Sequence, residues 1–132
     1  MPPSHRKIFE SYVYAGAITR NPDAFAALFT EDGVFEAPLV PGARLTGRTE
    51  IRDGIAAFQS GMPGAVNVAE SAYVLHETQD PDVFIAEIDT VLDAPDGRRT
   101  TMSLVQIFRL RNGQIRHLRD YFHEPIPPDR TP

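Results

Sequence analysis

A chain of 132 residues with a mass of 14.7 kDa has the size of a single domain with one hydrophobic core. Its hydrophobic fraction of 42% and charged fraction of 23% are typical of a globular protein, and no apolar run reaches the ~18 residues of a membrane-spanning helix. The net charge of -5 argues against a nucleic-acid partner, and the lack of cysteine excludes disulfides, thiolate metal sites and a cysteine nucleophile. No apolar segment follows the basic N-terminus, so we expect no signal peptide, no membrane contact and a cytoplasmic protein.

Two helices are predicted at the start of the chain. Ser4 can cap the first, in which apolar residues recur every three or four positions until about Arg20. Asn21-Pro22-Asp23 begins the second, because Asn caps a helix, Pro suits its first position and Asp favours its positive end.

A short strand over residues 34–39 is predicted next, stopped by prolines. A third helix follows Gly47 and ends at the glycine cluster of residues 61–64.

Four longer strands are predicted in the second half of the chain, separated by turn signals. Their ranges are 66–78, 82–94, 99–110 and 114–124. Helices followed by strands predict an α+β fold, with helices on one face of a strongly curved, mainly antiparallel sheet around a pocket. We expect a single domain over residues 1–132, with an ordered core of about 5–124 and a proline-rich tail, 125–132.

The first predicted hairpin places acidic residues on the helix-covered face. If Asp96-Gly97 is a two-residue loop, Asp89 pairs with Leu104 and Glu87 pairs with Gln106. Acids on an apolar face are costly unless they are hydrogen-bonded, neutralised or wet, which favours a pocket over a sealed core.

The second hairpin determines the position of Asp120. Its loop has either two residues, Asn112-Gly113, or three, Arg111 to Gly113. The apolar pattern favours three, which also places Asp120 opposite Leu104. We therefore take Asp120 and Asp89 as candidate catalytic residues. The candidate substrate-binding residues around them are Glu87, Gln106, Phe35, Phe58, Met102, Leu104, Leu118 and Phe122.

Three segments resemble a known family: FTEDGVF at residues 29–35, GRTEI at 47–51, and residues 107–122, which include NGQI and RDYF. In their order and spacing the chain resembles the SnoaL-like branch of the nuclear transport factor 2-like superfamily over residues 5–124. The resemblance implies a conical α+β barrel, in which three helices close a bent sheet around a deep pocket, often in a dimer. It also implies that Tyr14 lies at the pocket wall.

Family chemistries can be compared residue by residue. Asp89 and Asp120 match the two acids of the limonene epoxide hydrolase pattern, but Glu87 stands where that pattern has Arg, and Phe35 and Ala37 replace its Tyr and Asn. The change from Arg to an acid reverses a charge that this hydrolase mechanism requires.

Two further family patterns require different acidic residues. Ala37 and Gln106 occupy the positions of the ketosteroid isomerase acids, so that machinery is absent. The polyketide-cyclase pattern implies only one pocket acid near the final strand, acting as a base in ring closure, and Asp120 can serve.

These observations favour a cofactor-independent acid-base enzyme of the cyclase, isomerase or dehydratase type acting on an apolar organic substrate. Asp120 is the predicted base and Asp89 the proton donor or orienting group, since neighbouring buried acids share protons. The alternatives are an epoxide hydrolase with a modified water-activating site and a non-catalytic ligand-binding or dimerisation domain. No metal-ligand spacing or phosphate-binding loop occurs, so we expect neither metal nor nucleotide cofactor.

The outer sheet face is predicted to pair two copies of the chain. Its apolar residues are Val105, Ile107, Ile115 and Tyr121. An apolar face of this kind favours a homodimer.

Overall fold

The computed structural model describes residues 3–122, and its helices form one layer of the fold. They are α1 (His5–Val13), which continues as a π-helical turn (Tyr14–Ile18), α2 (Pro22–Ala26) and α3 (Arg48–Ser60). Ser4 caps α1 by accepting a hydrogen bond from the Lys7 amide at 3.2 Å, and Asn21 caps α2 through the Ala24 amide. The three predicted helices are confirmed.

Seven strands form one curved, open sheet. They are β1 (Phe29–Glu36), β2 (Arg44–Thr46), β3 (Ala65–Val66), β4 (Ala72–Glu77), β5 (Val83–Asp93), β6 (Arg99–Arg111) and β7 (Gln114–Tyr121). The strand order is β2-β1-β7-β6-β5-β3, with β4 also paired to β5. Only the β1–β7 pair is parallel among the described strands, so the predicted α+β fold with a mainly antiparallel sheet is confirmed.

Several strand boundaries differ from the prediction. β1 begins at Phe29 rather than at residue 34, β2 was not predicted, and the predicted strand 66–78 divides into β3 and β4. The predicted tail 125–132 and the last two core residues, 123–124, lie outside the described residues.

The core lies between the helices and one face of the sheet, here called the inner face. Phe9 and Tyr12 of α1 pack edge-on against Phe108 of β6, and Phe108 stacks on Phe84 of β5 at 4.6 Å. Phe84 and Phe108 are fully buried, and burial of such rings is the main source of stability in a domain of this size. The opposite face of the sheet is called the outer face.

The β5–β6 hairpin corrects the predicted register by one residue. Its loop has three residues, Pro95 to Gly97, closed by a hydrogen bond from the Gly97 amide to the Ala94 carbonyl. Pro95 fits the second position of a type I turn and Gly97 takes the left-handed conformation, with φ of 89°, so Asp96 needs no positive φ.

This loop changes which side chains share a face. Asp89 pairs with Ser103 rather than with Leu104, and Glu87 pairs with Val105 rather than with Gln106. A one-residue shift moves every side chain to the other face. The prediction that Asp89 and Glu87 lie on the inner face is therefore wrong.

The β6–β7 hairpin has two deviations that compensate each other. Asn112 and Gly113 form a two-residue loop with positive φ at both positions, where three residues were predicted. A β-bulge then inserts Arg116 between the pairs Leu110–Ile115 and Arg109–His117.

Because of the bulge, the side chains at the end of β7 lie on the predicted faces of the sheet. Their partners on β6, however, differ from the predicted ones. Asp120 shares a face with Leu104 as predicted, yet it pairs with Gln106 rather than with Leu104. Ile115 was predicted on the outer face, but it is fully buried in the core.

Candidate functional site

Asp120 lies near the end of β7 on the inner face, directly opposite Gln106 of β6. It is only 7% exposed, and Phe35 and Leu118 contribute apolar surface to the same side of the sheet. Burial destabilises the carboxylate and raises the pKa of Asp120 to about 7, an effect that the neighbouring Gln106 amide partly offsets. Near neutral pH the group is therefore present in both its charged and neutral forms.

Gln106 and Tyr12 connect this carboxyl to the first helix. The Gln106 Nε2 donates a hydrogen bond to the Tyr12 hydroxyl at 3.1 Å, and both residues are buried. Burial raises the pKa of Tyr12, and the charge of Asp120 adds to this, so the phenol keeps its proton.

Two buried acceptor atoms of the site are unpaired. Neither Gln106 Oε1 nor Asp120 Oδ1 has a hydrogen-bond partner among residues 3–122, although both atoms are shielded from solvent. An unpaired buried acceptor costs about 1–3 kcal/mol. A proton on Asp120 or a donor group on a bound molecule would supply the missing hydrogen bonds.

The tyrosine at the site is not the one that was predicted. Tyr14, which the family resemblance placed at the pocket wall, begins the π-helical turn and is 62% exposed. Tyr12 lies on the buried stripe of α1 with Ile8 and Phe9. Its spacing in that stripe was the available signal, because a tyrosine within an apolar stripe carries its hydroxyl into the core.

The inner face opens toward one end of β6 and β7. Along β6, exposure rises from the buried Gln106 to the partly exposed Leu104 and Met102. Along β7 it rises from the buried Asp120 to the partly exposed Phe122. Asp120 is thus the first buried polar group below this opening.

Phe58 of α3 lies across the same opening. Its ring meets the Phe122 ring at 6.1 Å in an edge arrangement, and the Phe58 side chain is 47% exposed. Of the predicted substrate-binding residues, the ones on the inner face around this opening or below it are Phe35, Phe58, Met102, Leu104, Gln106, Leu118 and Phe122.

Asp89 and Glu87 lie on the outer face, away from Asp120. Asp89 is exposed and accepts a hydrogen bond from the Ser103 hydroxyl at 2.7 Å. Glu87 is also exposed and bonds to His76 at 2.5 Å. Because the sheet separates these carboxylates from Asp120, the structure does not bring together the predicted pair of acids.

Two surface depressions lie away from Asp120. One, of about 240 Å³, contains Arg44 and His117, and the other, of about 320 Å³, contains Asp23 and Arg52. No group of three histidine or acidic side chains in the described part of the chain is placed to hold a metal ion. Within those residues, no helix has the length and apolar character required to cross a membrane.

The fold agrees with a comparison against known families. The model of the SnoaL-like domain matches residues 10–118, which is most of the chain. The chain therefore belongs to the SnoaL-like domain family, as its sequence motifs predicted. No curated protein matches the sequence.

Similar solved structures share the fold. A protein proposed to be an isomerase, from Bacillus subtilis, is 21% identical with a TM-score of 0.73, over 89% of this chain and 85% of that one. A hypothetical protein with a ketosteroid isomerase-like fold from Catenulispora acidiphila is 22% identical with a TM-score of 0.68, over 92% and 86%. An LEH-like epoxide hydrolase from M. tuberculosis is 21% identical with a TM-score of 0.60, over 88% and 80%. At these identities the likeness establishes the nuclear transport factor 2-like fold, which hosts many activities.

Proposed function

We propose that this chain is a cofactor-independent enzyme that moves a proton on a small, largely apolar carbonyl compound, with Asp120 as the general base. The observation that carries the proposal is the buried Asp120 carboxyl on an apolar face, with a pKa of about 7. Such a group can take a proton from carbon and return it at another atom. Isomerisation, dehydration and aldol-type cyclisation consist of transfers of this kind.

Tyr12 and Gln106 supply the second requirement of this chemistry, a donor for the substrate oxygen. The Tyr12 oxygen already accepts a hydrogen bond from Gln106 Nε2, and its own O–H has no acceptor among the described residues. A substrate carbonyl placed beside Tyr12 would receive that O–H, which the Gln106 bond polarises further. A donor in a buried site stabilises the negative charge that develops when Asp120 removes a proton.

Access would come through the open end of the inner face. A substrate entering beside the Phe58–Phe122 pair would pass Met102 and Leu104 and then reach Asp120. These four side chains are partly exposed in the free chain and are apolar, which suits a hydrophobic molecule of small size.

The proposal is tested by proton exchange on carbon. A panel of apolar ketones in D2O, followed by proton NMR, reports the loss of signals from carbons beside the carbonyl. The wild type should accelerate exchange for at least one member, and Asp120→Asn should lower that rate at least about 100-fold, the contribution of a positioned base. Asp89→Asn makes the same chemical change on the outer face and should leave the rate within about twofold.

Equal exchange by the wild type and Asp120→Asn would contradict the role of Asp120. The epoxide hydrolase alternative predicts a diol that carries oxygen from labelled water, but the position of Asp89 on the outer face does not support a two-acid mechanism. The binding-domain alternative predicts ligand affinity that Asp120→Asn leaves unchanged and no chemistry on any bound molecule.

A cytoplasmic location stays a prediction.

We also propose that the outer face joins two copies of the chain. Val105 and Val74 are 40% and 57% exposed there, and Ile107 and Tyr121 lie nearby on the same face. Exposed apolar side chains in one area favour association. Light scattering at micromolar concentration should give twice the chain mass for the wild type and a single chain mass for Val105→Glu, and a wild-type monomer would remove this proposal.

A further inference from the structure

The depression of about 240 Å³ at the β2–β1–β7 edge is separate from the Asp120 site. It is lined by Asp32, Val34, Arg44, Arg111, Arg116 and His117. Arginine is the residue best suited to bind oxyanions, because its planar guanidinium donates paired hydrogen bonds. Three of the six lining residues are arginines, so the depression contains the side chains that such a ligand requires.

The strand pairing explains how the arginines come to face one another. Val34 of β1 pairs with Thr46 of β2 on one side and with His117 of β7 on the other. The two flanking strands are therefore about 9 to 10 Å apart, which is two strand spacings. Val34 therefore lies between the strand that contributes Arg44 and the strand that contributes Arg116, and all three residues line the depression.

The β7 bulge places Arg116 at this position. Arg116 is the extra residue between Ile115 and His117, so it has no partner in the β6–β7 ladder. Its side chain is exposed and makes no ion pair within residues 3–122. Bulges commonly redirect a side chain toward a functional position.

The carboxylates nearby hold the other polar side chains of the depression in place. Asp32 bonds to Arg111, and Glu36 bonds to Arg44 at 3.0 Å and to His117 at 2.6 Å. These contacts lower the pKa of both acids, so both stay ionised. Among residues 3–122, Arg116 is therefore the arginine of this depression that has no carboxylate partner.

We propose that this depression binds a doubly charged oxyanion, either inorganic phosphate or a phosphate monoester, between Arg44 and Arg116. The volume is below that of pockets for drug-sized molecules and suits a small anion. Asp32 also lines the depression, and its bond to Arg111 offsets its charge, as the Glu36 bond offsets that of Arg44. Binding here leaves the inner face unoccupied, so the ligand does not compete with a molecule at Asp120.

The proposal is tested by NMR titration of the full chain with inorganic phosphate and then with phenyl phosphate, at constant ionic strength set by sodium chloride. The backbone amides of Arg116 and His117 should shift with a millimolar dissociation constant. Arg116→Gln and Arg44→Gln should each weaken binding at least fivefold. Arg98→Gln, which changes a paired arginine in the β5–β6 turn, should leave binding unchanged.

Three results would overturn the proposal. Chloride alone could produce the same shifts, or Arg98→Gln could weaken binding as much as Arg116→Gln, which would indicate a non-specific effect of charge. Binding that survives in both Arg116→Gln and Arg44→Gln would place the anion elsewhere. Because Arg116 is exposed, its substitution should leave the fold intact, and amide spectra of the free variant would check this.

Discussion

The two faces of the sheet hold their acidic residues under opposite conditions. On the inner face, Asp120 is 7% exposed, lies among apolar side chains and has a pKa of about 7. On the outer face, Asp89 and Glu87 are exposed and are hydrogen-bonded to Ser103 and His76. Burial of one carboxyl, rather than the number of acids in the strands, therefore creates the group suited to proton transfer.

The largest expected effect concerns the titration of Asp120. Its pKa is about 7 in the folded chain and near 3.8 when unfolded, so the folded state binds the proton more tightly. The stability contributed by this proton is complete below pH 4 and is lost as the pH rises through 7, a change of roughly 4 kcal/mol. Urea denaturation between pH 4 and 8 should show the wild type losing stability relative to Asp120→Asn.

Other acids with shifted pKa values do not affect the difference in stability between the wild type and Asp120→Asn. Asp32, Glu36 and Asp93 have lowered pKa values and act in the opposite direction, but both proteins contain them, so they cancel in the difference. If the two stability profiles run parallel across this range, Asp120 does not titrate near neutral pH and its assignment as the base is contradicted.

A smaller effect is expected from the hydrogen bond between Tyr12 and Gln106. Tyr12→Phe removes the oxygen that accepts from Gln106 Nε2 and leaves a buried donor unpaired. The expected loss in free energy of unfolding is about 1–3 kcal/mol, measured by urea denaturation at pH 7.

A double variant separates the bond from general packing. Tyr12→Phe combined with Gln106→Met removes both polar partners and should recover part of the stability lost in Tyr12→Phe. A double variant that loses the full sum of the two single effects would show that the hydrogen bond is not the cause.

The helices were predictable from the sequence because their signals are local. Ser4 and the Asn21-Pro22 pair cap the first two helices as their side chains suggest, and the spacing of apolar residues marks the buried faces. β2 was not predictable, since three residues carry little periodicity and this strand exists only by pairing with β1.

The hairpins show why the site was only half predicted. The face of Asp120 is correct, but only because the loop at Asn112 is one residue shorter than expected and the bulge at Arg116 restores the alternation. Asp96-Gly97 was predicted as a two-residue loop, but Pro95 also belongs to the loop, and this extra residue moves Asp89 to the other face. Bulges and loop lengths depend on tertiary pairing, so alternation alone does not fix them.

The smallest effect is expected on the outer face. Ser103→Ala removes the hydroxyl that donates to Asp89 at 2.7 Å, and because both residues are exposed, water replaces the lost partner. The free energy of unfolding should change by no more than about 0.5 kcal/mol, against the larger loss for the buried bond in Tyr12→Phe. If Ser103→Ala instead loses stability as Tyr12→Phe does, and only at concentrations where light scattering detects a dimer, then a second chain covers this face. The difference in exposure between the acidic residues of the two faces would then hold for the single chain but not for the dimer.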